Sequence, residues 1–226
     1  MVRPGVTTKE LDEAAEEIIR SKGGIPAFKG YRDYPATLCT SINDQVVHGI
    51  PKARKLESGD IASIDVGVKY NGYYGDSAAT IPVGAVDEAV QRLLQITVQA
   101  LYQGIDRAQP GGRLSDISHA IQTWVEDNGF SVVRQFVGHG IGRALHEDPQ
   151  IPNFGPPHRG PRLRPGMILA IEPMVNMGTY ETAFAEDGWT TSTADGLPSA
   201  HFEHTVAIGR DGPEILTAIP EVSSLK

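Results

Sequence analysis

The feature that most constrains this chain is an internal repeat. Arg3-Pro-Gly-Val-Thr-Thr-Lys-Glu-Leu11 recurs in pattern 106 positions later as Gln109-Pro-Gly-Gly-Arg-Leu-Ser-Asp-Ile117. Leu11, Ala15, Ile18 and Ile19 then match Ile117, Ile121, Trp124 and Val125, each set spaced to form one apolar stripe on a helix. Thr7 with Glu10 reads as a capping box, Ser115 as an N-cap, and Gly23 and Gly129 as helix stops. At an offset of 107, Ser58-Gly-Asp-Ile-Ala-Ser-Ile-Asp65 aligns with Pro165-Gly-Met-Ile-Leu-Ala-Ile-Glu172. Two further runs end alike, Thr80-Ile-Pro-Val-Gly84 and Thr205-Val-Ala-Ile-Gly209. The pattern predicts two related halves, about 1–84 and 85–226, in one domain. Asp87 to Tyr102, with Val90, Leu93, Leu94, Val98 and Leu101 on one face, predicts an amphipathic helix without a counterpart in the first half.

The repeat also repeats acids. Asn71-Gly72 lies between two β-prone runs and predicts a type I′ hairpin turn, both of whose central residues need φ > 0. Pairing Tyr70 with Tyr73 sets Asp76 opposite Gly67, so Asp65 and Asp76 become diagonal neighbours on one face. Two like charges on a half-buried sheet repel and lose hydration, which a cation between them would relieve. Glu172 stands where the first half has Asp65, and Glu203 lies just upstream of the second strand ending, so each half is expected to offer two acids from a hairpin. Two divalent cations would neutralise four carboxylates and move the net charge from −8 to −4. Such a pair can hold a water for attack on an amide carbonyl. The nitrogen ligand is expected among His48, His139 and His146, which sit in glycine-marked loops. His119 and His158 read as solvated; His201 shares a strand face with Glu203, and His204 points the other way.

Composition narrows the setting. A chain of 226 residues with 40% hydrophobic content can bury a substantial core. Its net charge of −8 and pI near 5.3 argue against nucleic acid or an anionic membrane as partner. One cysteine, Cys39, excludes an intrachain disulfide and a Cys-rich zinc module. No signal-peptide core or membrane-length apolar run is present, so cytoplasm is the expected location.

Cys39-Thr-Ser-Ile-Asn-Asp-Gln-Val-Val-His-Gly-Ile-Pro51, the hairpin aspartates, Gly138-His-Gly-Ile-Gly142, His146-Glu-Asp-Pro149, Ile171-Glu-Pro-Met174 and Phe202-Glu-His-Thr205 follow in order along nearly the whole chain. Together they resemble the type I methionine aminopeptidases. The resemblance implies an α+β pita-bread fold, with two pseudo-symmetric halves whose curved antiparallel sheet is covered by helices. It implies removal of the initiator methionine from nascent polypeptides near the ribosome, with a small second residue preferred. It also implies two divalent ions (Co, Mn, Fe(II) or Zn), with Asp65 on one, His139 and Glu172 on the other, and Asp76 and Glu203 bridging. Glu172 would be the general base, His48 would contact the scissile amide or leaving peptide, and His146 would stabilise the oxyanion. Phe28, Tyr31, Tyr34, Cys39, Leu145 and Trp189 match the methionine-lining places, where Phe28 and Leu145 depart from common patterns. Asn43 and Ser199 match a monovalent-cation site of some members.

Relatives carry a helix ahead of the first Pro-Gly that this sequence lacks; the expectation is a monomer able to self-associate through the surface so uncovered. Glu172 follows His146 by 26 positions, too few for the type II subdomain, and the Cys-rich extension of eukaryotic type I enzymes is not expected. Two alternatives are a proline-specific peptidase of the same fold and a non-catalytic pita-bread binding module.

Overall fold

The computed structural model describes residues 1–218. The second half was expected to run to Lys226, and its last eight positions lie outside the described residues. Helix α1 (Thr8–Ser21) precedes β1 (Ile25–Pro26), β2 (Leu38–Ile42), β3 (Gln45–Val47), β4 (Ile61–Tyr70) and β5 (Tyr73–Pro82). Helices α2 (Glu88–Arg107) and α3 (Leu114–Asp127) follow. The chain then returns through β6 (Ser131–Val132), β7 (Gly138–Gly140), β8 (Glu147–Ile151), β9 (Ile168–Ile171), β10 (Met174–Asn176), β11 (Thr182–Phe184), β12 (Thr191–Thr193), β13 (Ser199–His201), β14 (Glu203–Ile208) and β15 (Pro213–Ile215). The architecture is α+β. Its main sheet runs β1-β4-β5-β14-β9-β7-β8, with β2 also on β4 and β15 on β14.

Local chemistry explains most of these elements. Asn71 and Gly72 both take positive φ, 49° and 85°, as a type I′ turn requires. The hairpin register sets Tyr70 against Tyr73 and Gly67 against Asp76, as the turn predicts. Thr7 Oγ1 accepts the Glu10 N–H and the Glu10 carboxylate accepts the Thr7 N–H, closing the capping box of α1. At the repeat-related end of α3 the N-cap is Arg113 and not Ser115. The Asp116 carboxylate reaches back to the Arg113 N–H, as Glu10 does to Thr7, while Ser115 Oγ accepts the Arg159 N–H outside the helix. Ile18 is a second correction: it is 53% exposed, so the buried stripe of α1 is carried by Leu11 and Ile19. On α2 and α3, Leu93, Leu101, Ile117, Ile121 and Val125 are fully buried with Leu169, Ile171, Phe202 and Val206 of the second half. Burying each such side chain stabilises the fold by roughly 1.5–3 kcal/mol.

The second pair of acids does not come from a tight hairpin. Strands β9 and β14 are antiparallel neighbours, with Ile171 opposite His204, but β10 to β13 are inserted between them. The halves join where β5 meets β14, with Ala78 opposite Glu203 and Ser77 opposite His204. Beyond these pairs the backbone ladder gives way to two threonine stitches. Thr205 Oγ1 donates to the Asp76 carbonyl at 2.7 Å and accepts the Asp76 N–H at 2.9 Å. Thr80 Oγ1 likewise donates to the His201 carbonyl at 2.9 Å and accepts the His201 N–H at 2.8 Å. Thr80 and Thr205 are the repeat-related residues that begin Thr80-Ile-Pro-Val-Gly84 and Thr205-Val-Ala-Ile-Gly209. The seam is therefore symmetric, and each stitch fixes the residue four positions before the other threonine.

Replacing Thr205 or Thr80 by Val keeps the shape but strands a buried backbone N–H and C=O. Denaturant unfolding should show a loss of about 2–4 kcal/mol for either variant. A change below about 0.5 kcal/mol, the usual scatter of surface substitutions, would mean that the stitches do not hold the seam.

Candidate metal centre

Each acid and imidazole reaches the seam from a different element. Asp65 lies mid-β4, opposite Cys39 of β2. Asp76 lies on β5, with its backbone fixed by Thr205. Glu172 directly follows β9, and its carbonyl accepts an N–H from Asn153. Glu203 opens β14, and His139 is the middle residue of β7. The glycines around His139 are required by packing: a Cβ at Gly138 would strike the Ala170 carbonyl, and one at Gly140 would strike the Asp148 carbonyl.

The structure brings together all five residues expected as ligands. They form the floor of a cavity of about 170 Å³. Asp76, His139 and Glu203 are buried, and one donor atom from each lies within 4.8 Å of the other two. His139 Nε2 is 3.5 Å from Glu172 Oε1. Asp65 Oδ1 and Glu203 Oε1 are buried without a hydrogen-bond partner. His139 Nδ1 is 2.8 Å from the Gly140 carbonyl, which can only accept, so Nδ1 carries the proton and Nε2 presents a lone pair to the cavity. Orphaned carboxylate oxygens facing an imidazole lone pair fit a divalent cation, and oxygen-rich donors with one nitrogen suit Mn, Fe(II), Co or Zn.

The remaining expected residues line the cavity above this floor. They are Phe28, Tyr31, Tyr34, Cys39, His48, Leu145, His146 and Trp189. Phe28 lies over Gly67, where a Cβ would come within 2.5 Å of its ring. Tyr34 donates to the Leu38 and Gly49 carbonyls and stacks edge-on against Trp189. His48, in the left-handed region at φ 61°, lies edge-on to Phe136 and Trp189. His146 Nδ1 is 2.8 Å from the Tyr31 hydroxyl, and its ring lies tilted at 57° against that of His139 with centroids 4.3 Å apart.

Sequence reasoning missed Arg32, which lines the rim, and Phe136, which backs His48. Asn43 and Ser199 lie outside this cavity. They meet through a Ser199 N–H to Asn43 carbonyl bond, with their side chains bonded to Asp60, Ile61, Val175 and Asn176. His158 is 83% exposed beside Asp116 and His119 is exposed. His204 turns away toward Thr217 and Tyr102.

Electrostatics follow from burial. It pushes the Asp65, Glu172 and Glu203 carboxyls well above the ordinary range, and neighbouring carboxylates add to the rise. Asp76 rises to about 7, burial outweighing the bond it accepts from the Ser77 N–H. Burial lowers His48 to about 4, and His146, also near its neighbours His139, Arg32 and His48, to about 4. His139 is lowered by burial too. These imidazoles are neutral at pH 7. Burial keeps Cys39 a thiol, so it is a pocket wall and not a thiolate ligand.

Metal-free protein should therefore lose stability with rising pH. Carboxyls whose folded pKa exceeds the unfolded value hold extra protons when folded; their stabilisation is complete below the unfolded pKa and is lost as pH climbs through the folded one. The neutral histidines act oppositely, but only below about pH 6.5, their unfolded value. The expected result is a Tm of chelator-treated protein that falls as pH rises from about 6.5 through the folded value of about 7 for Asp76, and a fall abolished by excess Mn²⁺. A Tm that is flat or rising without metal would contradict these shifts.

Comparison with known proteins places this geometry in a family. Residues 1–210 match the model of metallopeptidase family M24. The chain is 56% identical over 218 residues to methionine aminopeptidase 1 of Bacillus subtilis (strain 168), covering 96% of this chain and 88% of that one. The crystal structure of methionine aminopeptidase from Rickettsia prowazekii superposes with a TM-score of 0.95 at 44% identity, covering 96% and 88% of the two chains. A prolidase from Pyrococcus furiosus shares the pita-bread fold alone, with a TM-score of 0.75, 24% identity and 57% of its chain covered. The motifs, the paired halves and the match over nearly the whole length agree: this chain belongs to metallopeptidase family M24.

Proposed function

We propose that the chain is a methionyl aminopeptidase that removes the N-terminal methionine from nascent proteins and peptides with a small second residue. The observation that carries this is one cavity whose floor is the carboxylate and imidazole cluster and whose wall is aromatic, aliphatic and thiol. Phe28, Tyr31, Tyr34, Cys39, Leu145 and Trp189 offer ring edges and polarisable surface to an unbranched thioether. Its volume of about 170 Å³ suits a single side chain above the reacting groups. Residues 1–226 are read as a single catalytic domain of two related halves.

Asp65, Asp76, His139, Glu172 and Glu203 would hold a pair of divalent ions, Co, Mn, Fe(II) or Zn, with Asp76 and Glu203 shared between them. When bound, such ions neutralise the carboxylates, polarise the scissile carbonyl and acidify a water. Glu172 takes a proton from the water that attacks the first peptide carbonyl. It delivers that proton to the departing nitrogen as the C–N bond breaks, leaving free methionine and a new amino terminus. His146 Nδ1 and the Tyr31 hydroxyl are 2.8 Å apart; with the hydroxyl donating, Nε2 would carry the ring proton and donate it to the oxyanion. His48, braced by Phe136 and Trp189 and kept neutral by burial, would contact the amide or the leaving peptide. Asn43 and Ser199, joined through their backbones, would offer a monovalent cation carbonyl oxygens.

Among the described residues no helix is long and apolar enough to cross a membrane. Substrates emerging from the ribosome, in the cytoplasm, would suit a chain with a net charge of −8, for which neither nucleic acid nor membrane is the proposed partner. A monomer able to self-associate is the expected state in solution.

Protein reconstituted with Mn²⁺, Co²⁺ or Fe²⁺ should release methionine from Met-Ala-Ser and leave Ala-Pro peptides intact. Cleavage of the proline peptide alone would favour the proline-specific reading, and cleavage of neither would favour a binding module. Asp76→Asn should weaken binding of the metal pair by more than the roughly 10–100-fold typical of residues that only support a ligand. Unchanged stoichiometry and affinity by calorimetry would remove Asp76 from the centre.

A further inference from the structure

The symmetric seam assigns a role to a residue that the five-ligand reading leaves idle. The repeat relates Thr80 to Thr205, so Asp76, four residues before Thr80, corresponds to His201, four residues before Thr205. Glu203 corresponds instead to Ala78, the residue it faces across the seam. This corrects the simpler expectation that Glu203 mirrors Asp76. The stitches obey the same relation, Thr205 gripping the Asp76 backbone and Thr80 gripping that of His201. Asp76 is the diagonal neighbour of Asp65 in the first half and lines the same cavity. By symmetry His201 should serve Glu172, the mate of Asp65.

The side chain is placed for that task. His201 is 2% exposed, and its Nε2 is buried without a hydrogen-bond partner. Nε2 lies 3.7 Å from Glu172 Oε2, while Glu172 Oε1 lies 3.5 Å from His139 Nε2. Glu172 thus lies between two imidazoles. One presents a lone pair toward the cavity, and the other approaches the far oxygen from outside it. A shift of Glu172 by under an ångström would bring His201 Nε2 to hydrogen-bonding distance. The Thr80 stitch keeps the imidazole from withdrawing, because both backbone groups of His201 are tied to the opposite half.

We propose that His201 is a positioning residue: its Nε2–H donates to Glu172 Oε2 and fixes the carboxylate that serves as ligand and general base. A neutral donor suits this place, since it orients the carboxylate without competing as a charge with the ions. The inference rests on the proposed metallo-aminopeptidase function.

Its test compares wild type, His201→Leu, His201→Gln and His201→Asn, each titrated with Mn²⁺ by calorimetry and assayed on Met-Ala-Ser. Leu fills the site without a donor, Gln restores a donor with similar reach, and Asn carries the donor too short. Expected are 10–100-fold losses in Mn²⁺ affinity and in kcat for Leu and Asn, with KM little changed. Gln should stay within a few-fold of wild type, and Tm should be similar among folded variants. If Leu does not fold, the contrast of Gln with Asn carries the test. Variants indistinguishable from an active wild type, or Gln as impaired as Asn, overturn the positioning role alone. Wild type that neither binds Mn²⁺ nor cleaves the peptide overturns the proposed function, and this inference with it.

Discussion

Four carboxylates are driven into one desolvated spot between the halves, and much of the fold exists to hold them there. Like charges at such range, out of water, oppose folding unless protons or cations lie among them. Burial is seen in the raised pKa of Asp65, Asp76, Glu172 and Glu203 alike. Stability and site are therefore the same problem. The free energy that α2, α3 and the sheet gain by burying apolar surface offsets the cost of keeping an acidic centre dry.

The seam handles this burden through symmetry. Where a continuous ladder would run from β5 into β14, two threonine hydroxyls satisfy the backbone of Asp76 and His201. Each side chain beside a stitch therefore projects from a backbone fixed by the opposite half. Glycines at 138 and 140 let β7 press His139 against β9 and β8 from the far side. The pocket wall is built on the same frame, because Phe28 rests on Gly67, directly opposite Asp76.

Much of this was legible in the sequence, for identifiable reasons. Asn71-Gly72 imposes one turn type and hence one register, so the diagonal placement of Asp65 and Asp76 follows from local chemistry. The repeat carries Glu172 to the matching place because strand periodicity survives where residue identity does not. Legibility ended where tertiary contacts override local pattern. Glu203 and Glu172 meet across non-consecutive strands, which hydrophobic periodicity cannot foresee. The cap of α3 is made by a returning carboxylate and not by the Ser115 hydroxyl. Arg32 joins the rim through a left-handed backbone at φ 49°, a conformation its residue type does not announce. His201 was visible only as a neighbour of Glu203, since its task depends on the register across the seam.

The central claim is that the buried acids and His139 exist to hold two cations at this seam. Anomalous diffraction from crystals grown with Mn²⁺ tests it most directly. The account predicts two peaks about 3.5–4 Å apart, in contact with Asp65, Asp76, His139, Glu172 and Glu203. No peak among these residues at saturating Mn²⁺, or a single ion leaving Asp65 or His139 without a bond, would contradict it.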